Sequence, residues 1–275
     1  MAGDLEGKVA WVTGSSRGIG QAIARRLAEE GASVAIHGST PDSSAVFKEG
    51  ESLAAVAKKI ATQTGAKTSW VAADLRDPAS ALAAAAKVEA DLGKIDILVT
   101  AAGGDIGAKG VWAPHGGKIM NGNDALYMGD EDIRAVWERN FLTCVNTCKA
   151  VVPRMSFRQE GWVVTMGSIS GLSGIPSSII YASAKAAVHE YTRCLATQVQ
   201  ADGVHVNCVA PGDITTQRFR ASRPLDPSRE VGRSLGRYGT ADDIADVVAF
   251  LVSPGAAYIT GQVIRVDGGK QAFPA

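Results

Sequence analysis

Residues 8–20 join a short apolar run to a cluster of glycines and read Lys8-Val-Ala-Trp-Val-Thr13-Gly14-Ser-Ser-Arg17-Gly18-Ile-Gly20. The run Lys8–Thr13 predicts a short buried strand, and residues 21–30 after the glycines predict a helix. Glycines let the backbone approach an anion closely, and the free N–H groups at a helix start attract one. A glycine-rich loop by itself is also typical of a plain tight turn. Between a strand and a helix, this loop indicates a binding site for a pyrophosphate.

The rest of the chain alternates strand-like apolar runs with helical runs. The predicted strands are Ala32–His37, Thr68–Ala73, Ile95–Thr100, Gly161–Met166, Val204–Val209 and Gly261–Gly269. The predicted helices are Ser52–Thr64, Pro78–Leu92, Asp130–Met155, Ile179–Ala201 and Thr240–Leu251. This alternation predicts an α/β fold with a doubly wound, Rossmann-like parallel sheet of about seven strands and helices on both faces. Residues 1–275 are expected to form a single domain.

Composition and charge argue against several classes of partner. Of the 275 residues, 46% are hydrophobic, and 28 Lys and Arg balance 28 Asp and Glu. Zero formal charge gives no electrostatic reason to expect a nucleic acid or an anionic membrane as partner, and it favours self-association. No apolar run approaches the roughly 18–20 residues that span a bilayer. We therefore expect no membrane partner.

The cysteines predict a reduced protein. Cys144, Cys148, Cys194 and Cys208 form no Cys-x-x-Cys pair, and no signal-like segment precedes Val9. A cytoplasmic location fits this pattern best. Cys144 and Cys148 have helical spacing, but no further Cys or His ligand lies near them in the sequence, so both are expected to be small buried side chains and no metal site is predicted.

A hydroxyl, a phenol and an ammonium occur close together between residues 168 and 185. Tyr181 and Lys185 are four residues apart, so on a helix both side chains project from one face. The ammonium of Lys185 would then favour the phenolate of Tyr181 and make it a better proton shuttle. Ser168, at the end of the strand Gly161–Met166, would hydrogen-bond a substrate oxygen at the same place. The alternative is an ordinary helix pair with a serine in a turn.

These motifs together resemble the short-chain dehydrogenases/reductases over nearly the whole chain. Ser168, twelve intervening residues, Tyr181 and Lys185 match that family's active-site signature, and Thr13-Gly-x-x-x-Gly-x-Gly matches its glycine motif. The resemblance implies that Tyr181 is the general acid and base, that Ser168 polarises the substrate carbonyl and that Lys185 also holds the nicotinamide ribose. Asn140, in Glu-Arg-Asn-Phe-Leu, would hold a water in the proton relay.

The resemblance also implies a set of cofactor contacts. Asp74-Leu75 would meet the adenine, and Pro211-Gly-x-Ile-x-Thr would grip the nicotinamide carboxamide and a phosphate. In Ala101-Ala-Gly, Ala101 replaces the family's asparagine, so the side-chain bond that stiffens the central sheet is lost. The predicted cofactor-binding residues are Gly14, Ser16, Arg17, Gly18, Ile19, Gly20, Ser39, Asp74, Leu75, Ala102, Gly103, Tyr181, Lys185, Pro211, Gly212, Ile214 and Thr216.

The end of the second strand predicts the choice of cofactor. A carboxylate there would bond the ribose 2′-hydroxyl, but this chain has Gly38-Ser39-Thr40. Arg17 in the glycine loop could pair with a 2′-phosphate, although a solvated Arg17 beside a plain turn is the alternative. NADP(H) is therefore favoured, with NAD(H) possible. Residues Asp42–Glu49 are expected to be extra surface residues.

Two loops are candidates for the substrate side. Residues 104–129 are rich in glycine, lack periodicity and are longer than the family usually has here; we expect an unpacked inserted loop at the substrate entrance, or else a surface excursion. Residues 212–239 correspond to the family's substrate loop. Its arginines could recognise an anionic substrate or could be solvated surface residues: Arg218, Arg220, Arg223, Arg229 and Arg233.

The predicted activity is NAD(P)(H)-dependent and transfers a hydride reversibly between nicotinamide and a small ketone or secondary alcohol. Two alternatives remain: a reductase of 3-oxoacyl thioesters on acyl carrier protein, and a non-catalytic nucleotide sensor on the same fold. The long helices, the zero net charge and the family-like segment Gly261–Gly269 predict a homotetramer.

Overall fold

The computed structural model describes residues 3–230, 232 and 234–272; Arg233 of the predicted substrate loop lies outside them. Within this part, seven strands form one sheet in which every neighbouring pair is parallel, in the order β3-β2-β1-β4-β5-β6-β7. The strands are β1 Val9–Thr13, β2 Ser33–Gly38, β3 Thr68–Ala72, β4 Ile97–Thr100, β5 Gly161–Met166, β6 Val204–Pro211 and β7 Val263–Val266. The predicted fold class is confirmed.

Helices connect the strands and cover both faces of the sheet. They are α1 Gly18–Glu29, α2 Leu53–Thr64, α3 Pro78–Leu92, α4 Asp130–Trp137, α5 Thr143–Arg158, α6 Ile179–Val199, α7 Gln217–Ser222 and α8 Ala241–Leu251. The helix predicted over Asp130–Met155 is α4 and α5, joined by the π-helical turn Glu138–Leu142. That turn widens the helix at Asn140, whose side chain bonds back to Gly104 in the loop that precedes α4.

The core has two layers, one on each face of the sheet. Along β1, Ala10 and Val12 pack into the layer formed with α1, α2 and α8. Trp11 lies between them in sequence and packs into the opposite layer, formed with α3, α5 and α6. This alternation arises because successive side chains of a strand point to opposite faces. Burial on both faces explains why β1 is apolar throughout.

The order of the strands in the sheet determines where a ligand-binding site is expected. β1 pairs with β2 on one side and with β4 on the other, so the chain reverses its direction of winding at this point. Ligands of such sheets bind beyond the carboxyl ends of the strands, at this reversal. Gly14 follows β1, Gly103 follows β4 and Ser168 follows β5, so all three lie at the same edge of the sheet.

The prediction that Asp42–Glu49 are surface residues is only partly right, because Asp42 and Lys48 are exposed but the segment also packs inward. Ser43 and Ser44 are buried, and the Ser43 hydroxyl bonds to the backbone of Thr40. The Glu49 carboxylate accepts a hydrogen bond from the backbone N–H of Gly18 at 2.8 Å. The segment therefore folds back over the glycine loop and forms one wall of the cleft there.

The inserted loop 104–129 is packed more than its glycine content predicts. Its backbone is closed on itself by a bond from Gly107 N to Gly117 O at 3.0 Å, around a 3-10 turn at Pro114–Gly117. Ile106 and Asn123 are buried, and the Asn123 amide bonds to Asp105 and Ser178. The loop is thus tied to the start of α6.

Candidate active site

The three predicted chemical groups line one cavity. Lys185 is buried, its Nζ donates to the Met166 carbonyl at 2.7 Å, and it lies 5.7 Å from the centre of the Tyr181 ring. The Ser168 hydroxyl accepts from Ser170 N at 3.1 Å, which fixes the serine at the end of β5. Both Tyr181 and Ser168 face the cavity. The four-residue spacing on α6 brings the ammonium beside the phenol, as a helix requires.

A buried histidine supports the serine, and sequence reasoning missed it. The backbone N–H of Ser168 donates to Nε2 of His189 at 3.3 Å. Burial, and then the positive charge of Lys185, lowers the pKa of His189 to about 4. The imidazole is therefore neutral at pH 7 and accepts this bond at Nε2. The available signal was its position one helical turn after Lys185, on the buried face of α6.

Asn140 is engaged by backbone groups on two sides. Its Oδ1 accepts from Gly104 N at 2.8 Å, and its Nδ2 donates to Gly104 O at 2.9 Å and to Val136 O at 2.8 Å. A Cβ built on Gly103 would lie 2.8 Å from Asn140 Oδ1 and 3.4 Å from Lys185 Nζ. Asn140, Gly103 and Lys185 therefore meet at one point beneath the cavity.

A second cleft, of about 300 Å³, runs along the glycine loop. Its lining includes these predicted cofactor residues: Gly14, Ser16, Arg17, Gly18, Ile19, Gly20, Ser39, Asp74, Leu75, Ala102, Gly103 and Thr216. The first cavity, of about 540 Å³, is lined by the others: Tyr181, Lys185, Pro211, Gly212, Ile214 and again Thr216. Five residues line both spaces, so the two spaces adjoin: Ile19, Ala101, Gly103, Thr216 and Arg218.

His37 fixes the glycine loop to the end of β2. Gly14 N donates to its Nδ1 at 2.9 Å, and its Nε2 donates to Ala73 O at 3.1 Å. Burial lowers the pKa of His37 to about 4, so the ring is neutral and can make both bonds. Sequence reasoning took His37 only as the last strand residue. A polar residue ending a buried strand beside a glycine loop was the signal.

Arginines outnumber carboxylates in the glycine-loop cleft. Its charged lining residues are Arg17, Glu49, Asp74, Arg76, Arg139 and Arg218. Arg17 lies over the Phe47 ring, 5.5 Å from its centre, and donates to the carbonyl of Ser43. Burial lowers the pKa of Arg139, and Arg76 adds to this. Four cations against two anions make this cleft attractive to a multiply charged anion.

Asp74 is paired rather than free. Its two carboxylate oxygens accept from Arg76 Nε at 2.9 Å and from Arg76 Nη2 at 2.6 Å. Arg76 therefore holds the pKa of Asp74 below its usual range. The Asp74 carboxylate still faces the cleft, but a ligand that binds this carboxylate must do so alongside Arg76.

The cleft has the features that a dinucleotide needs. The Glu49 carboxylate already binds Gly18 N at the start of α1, so this helix end holds an anion. Gly14 has φ of 66°, and a Cβ there would lie 2.7 Å from the backbone of Ala102, so only glycine allows this close approach. Ala101 lacks the asparagine side chain, yet Ala102 N still donates to Thr13 Oγ1 at 3.1 Å and links β1 to the loop after β4.

Across residues 3–230, 232 and 234–272, no three His, Cys, Asp or Glu side chains converge as a metal site would require. None of the helices in this part of the chain has the length and apolarity to cross a membrane. Cys144, Cys148 and Cys208 are buried free thiols, and Cys194 is an exposed one.

The fold and the paired clefts define a Rossmann-like α/β oxidoreductase, and comparisons with known proteins give its family. A family model described as Enoyl-(Acyl carrier protein) reductase matches residues 14–271. The chain is 36% identical over 270 residues to 3-oxoacyl-[acyl-carrier-protein] reductase FabG of Escherichia coli (strain K12), covering 97% of this chain and 98% of that protein. The chain belongs to the short-chain dehydrogenase/reductase family.

Two further relatives differ from the first in name. Cyclohexanol dehydrogenase of Rhodococcus sp. (strain TK6) is 35% identical over 275 residues, covering 96% of each chain. The crystal structure of a putative short-chain alcohol dehydrogenase from Sinorhizobium meliloti 1021 superposes with a TM-score of 0.78 at 30% identity, covering 97% of each chain. The protein is thus an oxidoreductase that acts on CH-OH groups or ketones.

Proposed function

We propose that this enzyme interconverts a ketone and a secondary alcohol, with Tyr181 as the proton donor and acceptor. The observation that carries the proposal is that Ser168, Tyr181 and Lys185 line one cavity, which adjoins the glycine-loop cleft. A nicotinamide cofactor, when bound, supplies or accepts the hydride.

Each residue has a definite task in this scheme. The Ser168 hydroxyl bonds the substrate oxygen and polarises the carbonyl, while the Tyr181 phenol gives that oxygen its proton. The Lys185 ammonium, held by the Met166 carbonyl, stabilises the phenolate that remains and binds the nicotinamide ribose. Asn140 holds the backbone of Gly104 in place and lies beside Lys185, where a relay water would bind.

An activity screen tests the proposal. Reduced cofactor and a panel of small ketones should give oxidised cofactor and one equivalent of alcohol. The Tyr181→Phe variant should bind cofactor as the wild type does but turn over far more slowly. Cofactor binding without turnover of any ketone or thioester would instead indicate a nucleotide sensor.

A reductase of 3-oxoacyl thioesters is the second candidate, because 3-oxoacyl-[acyl-carrier-protein] reductases are among the relatives. Cyclohexanol dehydrogenase matches nearly as well, so identity alone does not choose between the two. Acetoacetyl thioester should be compared with cyclohexanone and polyols in one assay. A thioester kcat/KM that exceeds every free ketone by a large factor would favour the second candidate.

We further propose that NADP(H) binds better than NAD(H). Arg17 and Ser39 both line the cleft at the end of β2, where no carboxylate is present in the turn, and the arginine excess suits the extra 2′-phosphate. Glu49 opposes this preference because its carboxylate lies at the same loop. Arg17→Ala should weaken NADP(H) about tenfold and NAD(H) little. Tighter NAD(H) binding by the wild type would refute the preference.

The inserted loop 104–129 is proposed to form part of the substrate entrance. Gly104, Asp105 and Lys118 line the cavity that contains Tyr181. Shortening the loop between Gly107 and Asn123 should change substrate KM more than cofactor KM. Unchanged kinetics for every substrate would place the loop outside the site.

We propose a homotetramer of single-domain chains spanning residues 1–275. Phe157 on α5 is 91% exposed, and β7 is an edge strand whose residues are half-buried. Such apolar and edge surfaces favour contact with further copies. Light scattering should give four times the mass of one chain, and a clean monomer would contradict the proposal. The cytoplasmic location stays a prediction that rests on the cysteine pattern.

A further inference from the structure

The cavity around Tyr181 carries more positive than negative side chains, and only some are neutralised. Its charged lining residues are Asp105, Lys118, Lys185, Asp213, Arg218, Arg223 and Lys270. Asp213 accepts from Lys270 at 2.7 Å and from Arg229 at 3.2 Å, so this part of the wall is balanced by its own ion pairs. Lys185 is assigned to the catalytic step. Three cations and Asp105 remain to be explained.

Lys118 and Arg223 form no ion pair within the described residues. Lys118, from the inserted loop, is half-buried; burial lowers its pKa, and Arg223 adds to this while Asp105 acts against it. Arg223 follows α7 and is exposed; its guanidinium lies over the Phe219 ring, 4.4 Å from its centre, at the cavity wall. Two cations from separate loops thus approach each other in a cavity that holds little negative charge.

Arg218 interacts electrostatically with both Arg223 and the Tyr181 phenol. Its guanidinium donates to the backbone carbonyls of Asp105 and Gly116, and burial lowers its pKa, with Asp105 and Tyr181 acting in the opposite direction. The Asp105 carboxylate is itself engaged by the Ser178 hydroxyl at 2.7 Å. Among the described residues, Asp105 is the carboxylate of this cavity that interacts with Lys118 and Arg218.

We propose that the substrate is a small oxo acid, or the corresponding hydroxy acid, whose carboxylate is bound by Lys118 and Arg223 while its carbonyl lies at Tyr181 and Ser168. The inference rests on the proposed function, whose substrate it narrows. Lys118 is half-buried and Arg223 is exposed; like charges held near each other repel unless an anion joins them, and a guanidinium binds a carboxylate with two parallel hydrogen bonds. The carbonyl carbon takes the hydride, its oxygen takes the Tyr181 proton, and the carboxylate is unchanged.

A matched pair of ring ketones tests the charge alone. 4-Oxocyclohexanecarboxylate and 4-oxocyclohexanecarboxamide differ little in shape, and the wild type should prefer the carboxylate in kcat/KM by at least about tenfold, mainly through KM. Lys118→Gln and Arg223→Gln should each reduce that ratio towards one. Arg220→Gln is the matched control, because Arg220 lies on α7, three residues before Arg223, but pairs with Glu230. It should retain the ratio.

The outcomes separate this inference from the proposed function. Equal kcat/KM for carboxylate and carboxamide overturns the inference and leaves the ketone reductase in place. If neither ring is reduced, both are titrated into the cofactor-loaded wild type; tighter binding of the carboxylate that is lost in Arg223→Gln supports the inference, and equal binding overturns it. Dihydroxyacetone phosphate is the third arm. If the wild type prefers dihydroxyacetone phosphate to the carboxylates, and Lys118→Gln and Arg223→Gln lose that preference, the assignment of a carboxylic acid is overturned.

Discussion

The two halves of the cleft are built in different ways. The glycine-loop half consists of strand ends and short turns, and its contacts are largely backbone groups that His37 and Thr13 hold in place. The Tyr181 half is closed by the inserted loop and by α7; the long side chains Lys118 and Arg223 line it alone, and Arg218 lines both halves. We propose that the backbone groups bind the cofactor, which every reaction of this kind shares. Side chains on loops can change without disturbing the sheet, and we propose that they select the substrate.

The largest expected effect is a fall in kcat caused by a substitution in the Tyr181 half, where the chemical step can be separated from binding. Tyr181→Phe deletes one oxygen and keeps the ring, so packing stays nearly unchanged. Loss of a positioned proton donor should lower kcat by ~10²- to 10⁴-fold. Stopped-flow kinetics measure the kcat of this variant, and cofactor titration measures its affinity for the cofactor. If the variant keeps more than about a tenth of kcat where chemistry limits the rate, the proton comes from another group.

The next effect tests whether His37 anchors the cofactor half. Folding lowers the pKa of His37 from 6.5 to about 4, so between these values the unfolded chain binds more protons than the folded chain. Stability is therefore fully present above pH 6.5 and is lost as pH falls towards 4, by up to about 3 kcal/mol for one histidine. Urea unfolding across this range measures the loss.

His189 has a similar lowered pKa and loses stability in the same range of pH. The His37→Asn variant should therefore keep roughly half of the histidine-dependent loss between pH 6.5 and 4. A variant whose unfolding free energy changes with pH as the wild type's does would show that His37 is not neutral and buried in solution.

A smaller effect is expected where the two halves join. Gly103 lines both spaces, and its φ of 159° lies at the edge of the range that side chains rarely adopt. Gly103→Ala places a Cβ against Asn140 Oδ1 and should cost about 1–3 kcal/mol in transition-state stabilisation or folding. Kinetics and thermal unfolding of Gly103→Ala and of the exposed control Gly129→Ala distinguish the two costs. If Gly103→Ala matches the wild type in both kinetics and thermal unfolding, the groups around Gly103 can move to accept a Cβ.

The smallest effect sharpens the account of cofactor choice. Glu49→Gln removes the anion beside Arg17 and should tighten NADP(H) by roughly three- to tenfold, with little change for NAD(H). Glu51→Gln, at an exposed neighbouring residue, is the control. Equal gains for both cofactors would indicate that Glu49 affects the pyrophosphate rather than the 2′-phosphate.

Local patterns predicted the fold and the lining of the cleft. The glycine loop, the strand periodicities and the Tyr181–Lys185 spacing each act over a few residues, so they are readable from sequence. His189, His37 and Glu49 were missed because their roles depend on partners that the sheet and the segment Asp42–Glu49 bring together. Lys118 was missed for the same reason. The inserted loop 104–129 had no periodicity from which its packing could be predicted.

The central claim is that the two adjoining clefts serve one hydride transfer to the carbon whose oxygen meets Tyr181 and Ser168. Ketone reduction with reduced cofactor carrying deuterium at C4, tested separately with each of the two C4 diastereomers, measures this directly by mass spectrometry of the alcohol. The account predicts one deuterium on the carbinol carbon from one diastereomer and none from the other. Alcohol without deuterium from either diastereomer would contradict it.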